Sequence, residues 1–198
     1  MRIAISSSHS LGKSTLVSDW IAANPSFIHE EEPYRALREW YPIEFRQKST
    51  RLQNGMKLYF SVGRAMHYPS ASNNVIFDRS PVDYIAYSQY TANHGTTDID
   101  DRFVDSMVPI VRESRERLDL IVFLPITDQW QVSLEDDGTR PVDHAYRTEV
   151  DKLFKQIYRK NRFNIMPIRD PPRLIELWGS PEARIENLAA VIADTRLQ

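Results

Sequence analysis

Residues 7–14 read S-S-H-S-L-G-K-S and are followed by Thr15. The spacing is that of the phosphate-binding pattern G-x-x-x-x-G-K-[ST], with Ser7 where the first glycine usually stands. Between a strand and a helix, such a loop aims consecutive backbone N–H groups and the positive helix end at an anion. In this reading Ser8, His9, Ser10, Leu11, Gly12, Lys13, Ser14 and Thr15 wrap the phosphates of a nucleotide. Lys13 reaches the β- and γ-phosphates, and the Ser14 hydroxyl joins the shell of a magnesium ion. Small side chains at Ser6, Ser7, Ser8 and Ser10 let the backbone approach closely, although a non-glycine at Ser7 narrows the available φ/ψ. A serine-rich turn that only caps a helix is the plain alternative.

Three further stretches carry charge to the ends of apolar runs. In "HEEEPYRALREW" the carboxylates Glu30, Glu31 and Glu32 precede Pro33, which keeps Glu32 extended at the end of a strand, where open α/β sheets bind ligands. Glu32 is then placed to accept a hydroxyl proton; a solvated acidic loop is the alternative. In "VIFDRSPVDY" an apolar run delivers Asp78, the natural magnesium partner, and Arg79, fixed on a turn that Ser80 and Pro81 close into a helix. A salt bridge from Arg79 to Asp83 is the structural reading of the same residues. In "LEDDGTRPVDHAYRTEV" Arg140 and Arg147 sit on a polar segment able to close over phosphates, unless Asp136 and Asp137 pair with them.

The elements that must position these residues follow from periodicity. Strand-length apolar runs at residues 2–6, 27–31, 75–78, 120–125 and 163–168, with 173–178 as a sixth candidate, alternate with helical patterns. This predicts a parallel sheet covered by helices on both faces. Helices are predicted at residues 14–23 and 80–93. Phe45, Leu52, Met56, Tyr59, Val62 and Met66 form a core stripe, and Tyr146, Val150, Leu153 and Ile157 form another. Pro109 kinks or splits a helix over 102–117, and Ser180, Pro181 and Glu182 start the last one.

A chain of 198 residues with 41% hydrophobic content suits one domain spanning residues 1–198. The net charge of -2 disfavours a nucleic-acid partner. The absence of cysteine excludes disulfides, thiolate zinc sites and a cysteine nucleophile. No apolar run is long enough to span a bilayer, so a cytoplasmic protein without a membrane partner is expected.

In order along the chain, the loop, the E-P dipeptide, the D-R-S turn and the arginine-bearing segment resemble the small P-loop kinases of nucleosides and nucleotides. The echoes lie in the thymidylate kinase, deoxynucleoside kinase and nicotinamide riboside kinase group, and the loop also resembles that of AAA-like P-loop proteins. The resemblance implies a P-loop NTPase fold: a three-layer α/β/α domain, about five parallel strands, and a small lid over residues 128–147. It implies ATP and Mg²⁺, with Lys13, Glu32, Arg79 and Arg140 catalytic, Arg147 on the nucleotide, and Ser14 and Asp78 on the metal. Glu31, Arg35 and Arg79 are assigned to the acceptor, in a pocket against residues 45–67 with Trp40, Tyr59 and Phe60 as stacking surface. The expected activity is transfer of the γ-phosphoryl of ATP to a small acceptor, a nucleoside or nucleotide. An acceptor-free ATPase or regulatory switch, or a nucleotide binder without turnover, are the alternatives, and a homodimer is left open.

Overall fold

β1 (Arg2–Ser7) is buried along its whole length, the mark of a central strand covered on both faces. β2 (Ile28–Glu30), β3 (Val75–Asp78), β4 (Leu120–Leu124) and β5 (Arg173–Glu176) join it in the order β2-β3-β1-β4-β5, with every pairing parallel. The chain leaves β1 toward one edge and later crosses over it from β3 to β4. The loops after β1 and β3 therefore part at a topological switch point, and ligands bind in such crevices. The register pairs Ile5 with Asp78, so β3 ends beside Ile5 while β1 runs on to Ser7.

The computed structural model describes residues 1–42, 48–68, 73–132, 143–166 and 170–195. Arg140, Asp136, Asp137, Phe45 and residues 133–142 of the expected lid lie outside them.

Alternation along the strands sends side chains into two cores. Ile3, Ile5, Ile76, Leu120 and Val122 meet Leu16, Val17 and Trp20 of α1 (Lys13–Ala23) and Leu188 and Ile192 of α7 (Pro181–Thr195). On the other face Ala4, Phe77, Ile121 and Phe123 meet α3 (Arg51–His67), α4 (Val82–His94), α5 (Asp101–Arg115) and α6 (His144–Lys160). α2 (Pro33–Leu37) is a single short turn of helix after β2. The three layers and the five-stranded parallel sheet are those expected.

Local chemistry explains the helix starts. Thr50 and Gln53 form a reciprocal capping box on α3. Asp100 accepts from Phe103 N, Asp143 from Tyr146 N and Ser180 from Ala183 N. The expected stripe on α6 is buried, from Tyr146 to Ile157. α5 runs as one helix through Pro109.

Two expectations fail. No strand forms at residues 163–166. Arg162–Asn164 is a 3₁₀ turn with left-handed backbone at Asn161, Phe163 and Asn164, and it presses Phe163 and Ile165 onto the core. Those apolar residues plug the sheet's cover, and β5 comes later, within the stretch read as a sixth strand. The core stripe on α3 holds at Val62, which is buried, and at Met66, which packs against the core, but not at Leu52 and Tyr59, which are 72% and 63% exposed; Asn54, Lys57, Leu58, Ser61 and Ala65 are buried as well. The buried face of α3 is half polar, and the reason is the pocket described below.

Phe154 is fully buried, with its ring centroid 5.7 Å from Phe123, 6.0 Å from Tyr87 and 6.1 Å from Tyr158. Phe154→Ala should cost about 3–5 kcal/mol of stability, the range for truncating a core aromatic, read as a lower urea midpoint at unchanged m-value.

Candidate functional site

The loop after β1 makes its turns at Ser10 (φ 54°) and Gly12 (φ 77°). Ser7 is the last residue of β1 and is absent from the left-handed positions, so the site of the missing glycine needs no glycine. Gly12 caps α1 in the left-handed region, and a Cβ there would lie 2.9 Å from Arg184 Nη1. Arg184, from α7, donates to the Leu11 carbonyl at 2.7 Å and clamps the loop from behind. The buried Ser7 and Ser8 hydroxyls have no hydrogen-bond partner among the described residues.

Lys13 leads α1 and its ammonium donates to Asp78, at the end of β3. Ser14 Oγ donates to the other carboxylate oxygen at 3.1 Å. Burial pushes the Asp78 carboxyl up, but the Lys13 ammonium outweighs it and holds the group below the usual carboxylate range. A hydroxyl and an ionised carboxylate side by side are hard oxygen donors of the kind magnesium takes.

Arg79 follows Asp78 with φ 115°, a strained conformation for a residue with a side chain. Its buried guanidinium donates to Glu32 at 2.5 Å, Asp83 at 3.1 Å and the Tyr87 hydroxyl at 2.8 Å. Tyr87 in turn donates to the Ser7 carbonyl at 3.1 Å, and Ser6 Oγ donates to Asp83. The bridge to Asp83 and the bridge to Glu32 are both made. Burial raises the Asp83 carboxyl to about 6 against the pull of Arg79 and Ser6.

Two pockets flank this group. The outer one is lined by the loop from Ser8 to Leu16 together with Arg35, Trp130 and Arg184. The inner one is lined by Glu32, Tyr34, Ser49, Asn54, Lys57, Tyr84, Tyr87 and Tyr146. His9 and Arg79 line both, and the His9 ring lies 5.0 Å from Tyr146.

The sequence-predicted residues separate accordingly. Glu32 is buried in the inner pocket, whereas Glu31 is exposed. Arg35 lines the outer pocket, not the inner one. Trp40 and Tyr59 stand in solvent, and the inner pocket's rings are Tyr34, Tyr84, Tyr87 and Tyr146 instead. Arg147 lines neither pocket; it donates to the Val132 carbonyl at 3.0 Å and braces that segment. Lys57, Asn54, Tyr84, Tyr87 and Arg184 were not foreseen. The spacing of Arg79, Asp83, Tyr84 and Tyr87 along one helical face was the available signal for the two tyrosines, and none existed for Arg184.

Residues 2–173 match the family model of an AAA domain. The chain belongs to this AAA-domain family. No curated protein matches the sequence. Among solved structures, this AAA-domain chain is similar to deoxyadenosine kinase from M. mycoides, solved with dCMP and dCDP, at 14% identity and a TM-score of 0.66, covering 98% of this chain and 100% of that one. It is similar to NadR, solved with NR, at 17% identity and a TM-score of 0.65, covering 95% of this chain. The chain spans half the length of NadR. Thymidylate kinase from Candida albicans follows at 12% identity and a TM-score of 0.61, covering 98% and 91%. At these identities the likeness is one of fold: the AAA-domain chain has the P-loop kinase fold.

Two stability measurements probe the site. Gly12→Ala should destabilise the AAA domain by about 1–2 kcal/mol in chemical denaturation, because alanine disfavours the left-handed backbone and its methyl collides with Arg184. Adding Arg184→Ala should relieve only the collision. Because the folded Asp83 holds its proton to about pH 6, and an unfolded Asp to about 4, its contribution to stability is fullest at low pH and falls as pH rises between those values. The stability difference between wild type and Asp83→Asn should therefore shift against wild type across that window, by roughly 2–3 kcal/mol; a pH-independent difference would contradict the assignment.

Proposed function

We propose that this protein transfers the γ-phosphoryl of ATP to a small acceptor, a nucleoside or nucleotide. The observation that carries the reading is the meeting of two pockets at one cation. The phosphate-loop pocket suits the donor, the pocket of Glu32 and the tyrosines suits the acceptor, and Arg79 lines both. The relatives in fold act in the same sense by name: two are kinases of a deoxynucleoside and a nucleotide.

In this reading the triphosphate lies along the backbone N–H groups from Ser8 to Ser14 and on the positive end of α1, with Lys13 on the β- and γ-phosphates. Magnesium held by Ser14 and Asp78 would neutralise charge on those phosphates, and among the described residues no cluster of three or more His, Asp or Glu offers a competing metal site. The acceptor oxygen bonds to the γ-phosphorus as the bond to the β–γ bridging oxygen breaks, and ADP leaves with that electron pair. The acceptor's proton goes to Glu32. Arg79 places a fixed charge where negative charge gathers during transfer. Rings of Tyr34, Tyr87 and Tyr146 give the acceptor an aromatic wall that favours a flat heterocycle. Arg140, on the expected lid, is assigned to closing over the phosphates, and Arg147 to bracing the Val132 segment that lines the donor pocket.

ADP release is measured with ATP and magnesium, with and without a panel of nucleosides and nucleotides. Acceptor-dependent release is expected; release without acceptor identifies an ATPase, and none in either condition leaves no phosphotransfer. With the best acceptor, Glu32→Gln should lower turnover by roughly 10²- to 10⁴-fold with little change in ATP affinity, the span of general-base assistance. The exposed Glu31→Gln should be mild. A reversed pattern would move the base to Glu31.

A further inference from the structure

The charges of the inner pocket are unevenly matched. Arg79 has two carboxylates, Glu32 and Asp83, within contact. Lys57, on the polar buried face of α3, is only 8% exposed, and its Nζ has one described contact, the Ser49 hydroxyl at 3.3 Å. No carboxylate pairs with it among the described residues. Burial and the field of Arg79 lower its pKa to about 8, against the opposing pull of Glu32, so it is still mostly charged at neutral pH. A buried ammonium without a counter-charge is expensive unless something else supplies one.

Tyr84 makes a second, independent case. It is 3% exposed, lines the same pocket, and its hydroxyl has no hydrogen-bond partner among the described residues. Burial raises its pKa far above that of a free phenol, so it stays a proton donor. Orphaned buried donors are rare in native proteins and cost stability. A cation with no contacting carboxylate and an O–H donor with no acceptor among the described residues, in one cavity, are complementary to a single kind of group, an oxyanion.

We propose that the inner pocket binds an acceptor that already carries an anionic group, a phosphate monoester or a carboxylate, held by the Lys57 ammonium and the Tyr84 hydroxyl. The inference rests on the inner pocket being the acceptor site, and it narrows that site from neutral and charged acceptors alike to anionic, ring-bearing ones. The tyrosine rings hold the flat part, and Lys57 and Tyr84 hold the anion. A neutral nucleoside would leave both groups as they are, desolvated and unmatched.

The test is direct binding by isothermal titration calorimetry at neutral pH, with no turnover required. Two series of matched ligands are titrated: nucleoside 5′-monophosphates against their nucleosides, and orotidine against uridine. At least one anionic member should bind about ten- to a hundredfold tighter than its neutral twin, the scale of a charge-assisted hydrogen bond. The series in which this occurs says whether the anion is phosphate or carboxylate. Lys57→Met should abolish the preference, and Tyr84→Phe, which removes only the hydroxyl, should weaken it several-fold. ATP titrated alone should bind both variants as it binds wild type, which shows that they fold. Equal or tighter binding of the neutral twins, no binding of any member, or a preference that survives both substitutions would overturn the proposal. A protein that binds the anionic ligand but never phosphorylates it would instead overturn the phosphotransfer reading and leave this one standing.

Discussion

The guanidinium of Arg79 ties together the ends of three strands. Glu32 follows β2, Arg79 itself follows β3, and Tyr87 carries the contact on to the last carbonyl of β1. Asp83 adds the second residue of the α4 helix and, through Ser6, a further hold on β1. The arrangement stores unfavourable terms: a strained backbone at Arg79 and several charges removed from water. They persist because each partner is satisfied by the others. Loss of one would leave a buried charge exposed to its neighbours' fields, so the wall between the two pockets behaves as a unit.

On the outer side Asp78 plays a comparable part. Lys13 and Ser14 both lean on its carboxylate, which keeps the two groups suited to phosphate and metal at the strand end. The pair is electrostatically self-contained, so the loop can be built without an anion present. The inner pocket differs, since Lys57 on α3 meets only the Ser49 hydroxyl and the Tyr84 hydroxyl on α4 meets no acceptor among the described residues.

Local chemistry was legible in the sequence, and long-range chemistry was not. The loop from Ser8 to Thr15 and the Asp78–Arg79 turn are contiguous, and each begins where an apolar run stops, so their surroundings could be reasoned from neighbours alone. Pro33 was enough to separate Glu32 from Glu31, because it constrains only the residue before it. Lys57 and Arg184 come from helices whose other residues say nothing about a pocket, whereas Tyr84 shares a helical face with Arg79 and Asp83. Hydrophobic periodicity finds the face of a helix that meets a core, and on α3 the buried face also meets polar space, so the pattern places Leu52 and Tyr59 inside and has no means of finding the buried Asn54 and Lys57. Phe163 and Ile165 have the composition of a strand, but Asn161 and Asn164 turn the chain in a left-handed sense that composition does not register. The strand order β2-β3-β1-β4-β5 lies a step further away, since alternation predicts parallel strands without saying which are neighbours.

The clamp of Arg184 on the Leu11 carbonyl joins residues 173 positions apart. A ribosome delivers β1 and its loop well before α7, and domains take shape as their parts emerge. The loop's first strand and helix therefore leave the tunnel long before the arginine that sets the loop's back exists. The nascent chain passes through a period in which the letters of the phosphate motif are present and the arginine behind them is not, and the loop gains its rear support only with the docking of α7 onto α1, as a late, long-loop closure.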